Sequence, residues 1–194
     1  MVAALALTSD GFRMVMGHFA TGITVVTTFL DEPEAGQTAS GAGSAGGRRP
    51  LGITVNALSS VSLEPPIVVV ALDRSRRITP VLHAFGRFAV NVLGESQQAL
   101  SDCFAGAPVT PDREAFCGAA WRPGTTGLPL LEGAIATLEC TVSETFRAGD
   151  HDLFLGRVDA IANDEQHAMP LLFYRRQYLR IERAATSEVE GKTG

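Results

Sequence analysis

From Ala134 to Val142 apolar and polar residues alternate without interruption, with Ala136, Leu138, Cys140 and Val142 on one side and Thr137, Glu139 and Thr141 on the other. A period of two places successive side chains on opposite faces of an extended chain, so this segment predicts a half-buried β-strand. Ala148, Gly149 and Asp150 then supply a tight turn, and His151 to Ala162 reads as the partner strand of a long antiparallel hairpin. Further strands are predicted over Ile23 to Phe29, Leu51 to Ala57, Ile67 to Leu72, Arg87 to Leu93 and about Leu171 to Ile181, each rich in β-branched or aromatic residues.

Helical spacing is confined to three places. Phe12, Val15, Met16 and Phe19 recur behind a capping Ser9, with Gly22 placed to end the helix. Ile78, Val81, Leu82 and Phe85 share a face, with Thr79 before Pro80 as the start and Gly86 as the stop. Ser96 heads a short helix carrying Leu100, Cys103 and Phe104. Between these elements, residues 31–50 predict a flexible loop and Gly106 to Pro129 mostly loop with one turn near Asp112, while 184–194 predict a disordered tail. Short strands and hairpins without repeated β-α-β alternation indicate a mainly β fold with α additions, an antiparallel barrel. No GxGxxG stands directly between a predicted strand and a predicted helix, which argues against a Rossmann site.

A chain of 194 residues suits one domain. Its net charge of −5 opposes binding to nucleic acid, whose phosphates must be neutralised. Cys103, Cys117 and Cys140 are odd in number, widely spaced and without a CxxC pair, which points to neither a disulfide framework nor a zinc site, and to a reducing compartment. Met1 to Leu7 is too short and lacks the basic start of a signal peptide, and no run approaches a membrane span. The expectation is a soluble, cytoplasmic protein with a small diffusible ligand and no membrane partner.

Chemistry concentrates between Gly52 and Pro66, where a β-branched strand passes into Asn56, Ala57, Leu58, Ser59 and Ser60 and ends at Pro65-Pro66. Short hydroxyl and amide groups at a strand end either satisfy their own backbone or receive the polar edge of a planar ligand. Three arginines, Arg74, Arg76 and Arg77, precede the second helix, as a solvated surface or an anion site at a helix start. His151 follows the Gly149-Asp150 turn, while His18, His83 and His167 have no comparable context and read as structural or exposed. Cys103 and Cys140 fall on apolar faces and read as small core residues.

In their order along the chain, several pieces resemble the flavin reductase-like family, the small reductases that supply reduced flavin to two-component monooxygenases. They are Phe12 to Thr28 with Phe19-Ala20-Thr21-Gly22, then Gly52 to Pro66, Gly86 to Leu93, Leu100 to Gly106, and Gly149-Asp150-His151. The resemblance covers about Phe12 to Ile181. It implies a split β-barrel that binds FMN, or FAD in some members, at a homodimer interface, with NADH or NADPH stacking on the flavin.

On that resemblance Thr54, Val55, Asn56 and Ala57 line the isoalloxazine and ribityl chain, with Ser59 and Ser60 near the same ring edge. Ala57 stands where many members carry Ser. The phosphate is expected within Asp73 to Thr79. There the family's Ser-any-Thr spacing falls ungapped on Arg76 and Ile78, which passes the contacts to Ser75, Arg77 or Thr79. His151 lies by flavin and nicotinamide as the catalytic residue, Phe104 approaches the site across the dimer, and Arg175 and Tyr178 match the closing strand, with Phe173 and Arg176 in place of the commoner Tyr and Gly. The implied activity is NAD(P)H-dependent reduction of FMN for a monooxygenase partner reached by diffusible reduced flavin. Two readings stand beside it: a non-catalytic FMN-binding module and a pyridoxamine phosphate oxidase-like enzyme.

Overall fold

The computed structural model describes residues 4–31, 48–107, 115–164 and 169–181. Its main sheet holds seven strands, β2 (Thr24–Asp31), β3 (Arg48–Val55), β4 (Leu58–Leu63), β5 (Pro66–Asp73), β6 (Arg87–Val92), β9 (Ala136–Ala148) and β10 (His151–Asn163). They lie in the order β3-β2-β6-β9-β10-β5-β4, antiparallel throughout. The expected hairpin is β9 and β10, with Ala148 opposite His151 across Gly149-Asp150 and a left-handed Gly149 at φ 63°.

This strand order dictates the shape. β3 and β4 are the two outer strands, yet only Asn56 and Ala57 separate them in the chain. Across a flat seven-stranded sheet they would stand roughly 29 Å apart, whereas two linking residues reach about 11 Å. The sheet therefore curls strongly without β3 and β4 pairing with each other, and the Ala71 amide, donating to the Ala57 carbonyl at 3.1 Å, continues the β4–β5 ladder into the link. The main core, with Val26, Val70, Leu72, Phe88, Val90 and Phe154, joins residues of β2, β5, β6 and β10, and α2 (Ile78–Phe85) adds Ile78 and Leu82. α2 ends as expected on Gly86, in the left-handed conformation at φ 69°.

Several expectations are corrected. The Ser-rich stretch read from the sequence as the end of a strand is itself the edge strand β4, with Ser59 opposite Val69 and Ser60 opposite Val68. Both serines are exposed, so the segment carries no hydrophobic alternation. β9 is covered on both sides where it crosses the core, because Glu139 and Thr137 are buried too. The Glu139 carboxylate accepts from the Thr125 amide at 2.7 Å, the Thr126 amide at 2.8 Å and the Thr126 hydroxyl, fastening the link between β7 (Trp121–Pro123) and β8 (Pro129–Leu131). The first helix, α1 (Ser9–Met16), is capped by Thr8 rather than Ser9 and ends at Gly17 rather than Gly22, leaving Phe19 beyond it. A 3₁₀ turn over Glu95–Gln97 precedes α3 (Gln98–Phe104), and no side chain caps α3.

The predicted flexible loop is shortened at both ends, since Asp31 pairs with Arg48 in the β2–β3 ladder; residues 32–47, Asp112, His167 and the 184–194 tail lie outside the described residues. Cys103 and Cys117 are joined in a disulfide, with Cα atoms 5.9 Å apart. Their spacing concealed this, because it is the return of the 115–118 turn to α3 that brings them together.

The predicted last strand is a tight hairpin of β11 (Leu172–Tyr174) and β12 (Gln177–Leu179), with β1 (Thr21–Gly22) on its outer side. Its turn residues Arg175 and Arg176 sit at φ 49° and 66°, a region that costs a non-glycine residue on the order of 1 kcal/mol. Arg176→Gly should therefore stabilise the protein by up to about 1 kcal/mol, raising the melting temperature by roughly 2–4 °C in a thermal unfolding scan.

Candidate functional site

Where β3 runs out, the strand curl leaves a slot of about 260 Å³ between the end of β3 and the end of β5. Ile53, Thr54, Val55, Asn56 and Ala57 line it from β3 and its exit, and Ala71, Leu72 and Asp73 from β5. Arg76, Ala105 and His151 complete the wall. The slot is thus built of backbone, aliphatic and short polar side chains, one carboxylate, one guanidinium and one imidazole.

Each wall is fixed by identifiable bonds. The Thr54 hydroxyl donates to the Ser101 carbonyl at 2.7 Å, tying β3 to α3, whose C-terminal cap Ala105 faces the slot. Tyr178 donates to Asp102 at 2.7 Å, which leaves the Ser101 hydroxyl, 2.9 Å away, to donate to the phenol oxygen. Burial pushes the Tyr178 hydroxyl above its ordinary pKa, so the phenol keeps its proton. On the opposite wall the Asp73 carboxylate accepts from the Ser75 amide and hydroxyl, both at 2.8 Å, and these bonds hold it below the usual carboxylate range. The turn between β5 and α2 is therefore held by a charged cap at neutral pH, and the cap loosens only as pH falls through that depressed value.

His151 opens β10 directly opposite Asp73. Its Nδ1 lies 2.7 Å from the Asp150 carboxylate, and hydrogen bonding to His151 is the leading reason that Asp150 ionises more readily than an ordinary carboxyl. An ionised Asp150 can only accept, so Nδ1 carries the proton and Nε2 remains for a ligand.

Of the residues singled out in the sequence, Thr54, Val55, Asn56, Ala57 and His151 come together in this slot. Ser59 lines a second cavity of about 490 Å³, which shares Asn56, Ala57 and Ala71 with the slot and is otherwise walled by Thr21 and the apolar groups Met16, Phe19, Leu58, Val69 and Leu153. Ser60 is exposed on β4, where its carbonyl accepts from Ser59 at 3.2 Å. Arg77 and Phe104 line a third cavity of about 220 Å³ on the other side of β3. Ser75 is exposed and engaged with Asp73, whereas Thr79 is buried and its hydroxyl donates to the Asp73 carbonyl at 2.8 Å. Arg175 is outside all three cavities, at the β11–β12 turn with its amide on the Gly17 carbonyl.

Sequence reasoning placed the anion contacts on the neighbours of Arg76, yet Arg76 is the arginine that lines the slot. The ungapped alignment that put it at a phosphate position was the available signal. Ala105 carried none, since a small residue after a helix is legible only once α3 is docked. Among the described residues no cluster of His, Cys, Asp and Glu could hold a metal ion.

Comparison with known proteins bears on this arrangement. Residues 16–182 match the model of the flavin reductase like domain. The chain is 36% identical over 177 residues to the reductase subunit HsaB of a flavin-dependent monooxygenase from Mycobacterium tuberculosis, covering 91% of this chain and 84% of that one. It is 36% identical over 179 residues to an NADH-dependent flavin reductase from a Rhodococcus species, covering 92% and 90%. Among solved structures, the NADH:FAD oxidoreductase SgcE6 of Streptomyces globisporus superposes with a TM-score of 0.77 at 32% identity, over 94% of this chain and 100% of that one. The styrene monooxygenase flavin reductase of Pseudomonas putida does so with 0.70 at 36% identity, over 89% and 98%.

Proposed function

This chain belongs to the flavin reductase-like domain family, and from that membership and the slot between β3 and β5 we infer that it reduces flavin with NADH and supplies the reduced flavin to a partner monooxygenase. The observation that carries the reading is the convergence of Thr54 to Ala57, Arg76 and His151 on one slot at the end of β3. A flavin ring presents carbonyl oxygens and ring nitrogens along one edge, and a strand exit with a free-standing amide side chain such as exposed Asn56 offers complementary groups. When both are bound, the nicotinamide supplies a hydride to the flavin, chemistry that belongs to the cofactors.

The chain's own task is placement. We assign the ring edge to Val55, Asn56 and Ala57, with Thr54 holding the wall through Ser101. The phosphate goes to Arg76, with exposed Ser75 beside it; Arg77 lines the cavity of Cys103 and Cys117 instead, and buried Thr79 has already committed its hydroxyl. His151, oriented by Asp150, offers Nε2 at the far side of the slot. The neighbouring apolar cavity, sharing Asn56, Ala57 and Ala71, gives the nicotinamide an adjoining place to stack.

FMN is the flavin proposed first and FAD the alternative, with NADH favoured over NADPH by the names of the relatives. The curled but unclosed sheet is read as a split barrel. Phe12, Val15, Met16 and Phe19 are largely exposed on and after α1, an apolar face suited to a homodimer. No helix among the described residues is long and apolar enough to cross a membrane, and the cytoplasm is the proposed compartment.

The test is to mix purified protein with FMN or FAD and NADH or NADPH and follow nicotinamide absorbance. FMN-dependent loss is expected with NADH. A protein that binds flavin without consuming either nicotinamide would be the non-catalytic module instead. For the phosphate assignment, Arg76→Ala should raise the KM for FMN about tenfold, the size of one charge-assisted contact, and leave that for riboflavin unchanged.

A further inference from the structure

We propose that the Cys103–Cys117 disulfide is a thiol-exchange site whose opening by a dithiol reductant weakens flavin binding in the slot. The inference rests on the flavin reading above and adds a control to it.

The bridge spans 14 positions of sequence and ties α3 to the 115–118 turn. Cys103 stands between the parts of α3 that form the slot wall: the Ser101 carbonyl receives Thr54, and Ala105 faces the slot itself. Next to it, the Phe104 ring lies so close to β3 that a Cβ on Gly52 would come within 2.6 Å of it. The other end of the bridge is held against its own preference. Phe116 and Cys117 are left-handed, at φ 52° and 58°, although neither is glycine. Besides the bridge, ring contacts hold this turn, Phe116 to Phe104 at 5.1 Å and Phe116 to Trp121 at 6.4 Å between centroids.

Access and charge favour exchange. Both cysteines line the 220 Å³ cavity and are partly exposed, and Arg77 and Arg49 line the same cavity. Partial exposure in a cavity that also carries cationic side chains is a setting that favours a thiolate leaving group. Cys140 offers the contrast: it is fully enclosed, and burial pushes its thiol up to about 12, so it stays protonated and inert.

The exchange balances without any group beyond the reductant. A thiolate of the dithiol attacks one protein sulfur, the S–S bond breaks, and the other cysteine leaves as a thiolate and is protonated. The second thiol of the reductant then resolves the mixed disulfide, so the protein gains two thiols and the reductant loses two electrons and two protons as its own disulfide. With the bridge open, Phe116 and Cys117 are free to return to ordinary φ, the ring contact on Phe104 is released, and the α3 wall samples positions that do not match the flavin. If that wall keeps its binding geometry about a tenth of the time, the apparent Kd rises about tenfold.

The experiment titrates FMN into oxidised protein, and into protein reduced with dithiothreitol and desalted without air, reading quenching of flavin fluorescence. An FMN Kd about tenfold weaker in the reduced form, restored on reoxidation, is expected. Cys103→Ser/Cys117→Ser should match the reduced protein and lose the response, and Cys140→Ala should keep it. Equal Kd values in the two forms of the native chain overturn the control and leave the flavin reading standing, as does non-reducing peptide mapping without a 103–117 bridge. Absence of FMN binding in both forms overturns the flavin reading and the control with it.

Discussion

Ala71→Trp is expected to abolish flavin-dependent oxidation of NADH while leaving the fold in place. Ala71 lies in β5 and is the one β-strand residue that lines both the slot and the apolar cavity beside it. Its amide donates to the Ala57 carbonyl, a bond that any residue except proline retains. Tryptophan is well tolerated in strands, and the added indole enters open space rather than core. It would occupy the volume where the flavin ring and the nicotinamide are to meet. Losing that arrangement should lower kcat/KM by at least about a hundredfold, equivalent to roughly 2.7 kcal/mol of transition-state stabilisation. Ser60→Trp, on the exposed edge strand and outside both cavities, is the matched control and should stay within about twofold, since it touches neither catalysis nor core. Circular dichroism on both variants checks the fold. An Ala71→Trp protein of undiminished rate would place hydride transfer elsewhere on the molecule.

That experiment aims at a site whose outline was legible before any coordinates. Thr54, Asn56 and His151 belong to patterns too common to mark a site by themselves, short polar groups at a strand end and a histidine after a Gly-Asp turn, and it is the resemblance to the flavin reductase-like family that singles them out. The strands and α2 were legible from local signals: alternation in β9, the Gly149-Asp150 turn that leads into β10, a β-branched run in β5 and a glycine stop at Gly86 all act over neighbouring residues.

What stayed hidden depends on residues far apart in sequence. β4 pairs with β5 on one side only and exposes its serines, so its strand character comes from the ladder and leaves no hydrophobic period. The burial of Glu139 follows from the link between β7 and β8 folding over it, and a carboxylate in an alternating strand reads as solvent-facing until that cover is known. The Cys103–Cys117 bridge likewise appears only when the 115–118 turn returns to α3. At the β11–β12 turn the obstacle was chemical, because Arg175 and Arg176 occupy left-handed positions that glycine or asparagine would have advertised. Arg76 shows the same limit at the site: three neighbouring arginines are alike in type, and only the turn held by Asp73 determines which one lines the slot.

Gly156→Ala should be the most damaging methyl group that can be added to the sheet. Gly156 sits at a register irregularity in β10 opposite β9, and its backbone is not in the left-handed region, so the cost is packing alone. A Cβ there would lie 2.5 Å from Phe88 Cζ, 2.8 Å from Phe88 Cε1 and 3.0 Å from Cys140 Cβ. Phe88 has no exposed surface and is hemmed in by the main core, so its ring can yield only by disturbing other buried side chains. Overpacking of this kind costs up to about 3 kcal/mol, which for a chain of this size lowers the melting temperature by roughly 6–12 °C. Phe88→Leu alone also destabilises, by leaving a cavity. Combined, the two changes should cost less than their separate losses added together, because the smaller side chain vacates the space the methyl group needs. A coupling of about 1 kcal/mol or more in a urea-denaturation double-mutant cycle is the expected result. Strict additivity would mean that the Phe88 ring does not rest on Gly156, and the packing of β6 against β10 across the core would have to be redrawn.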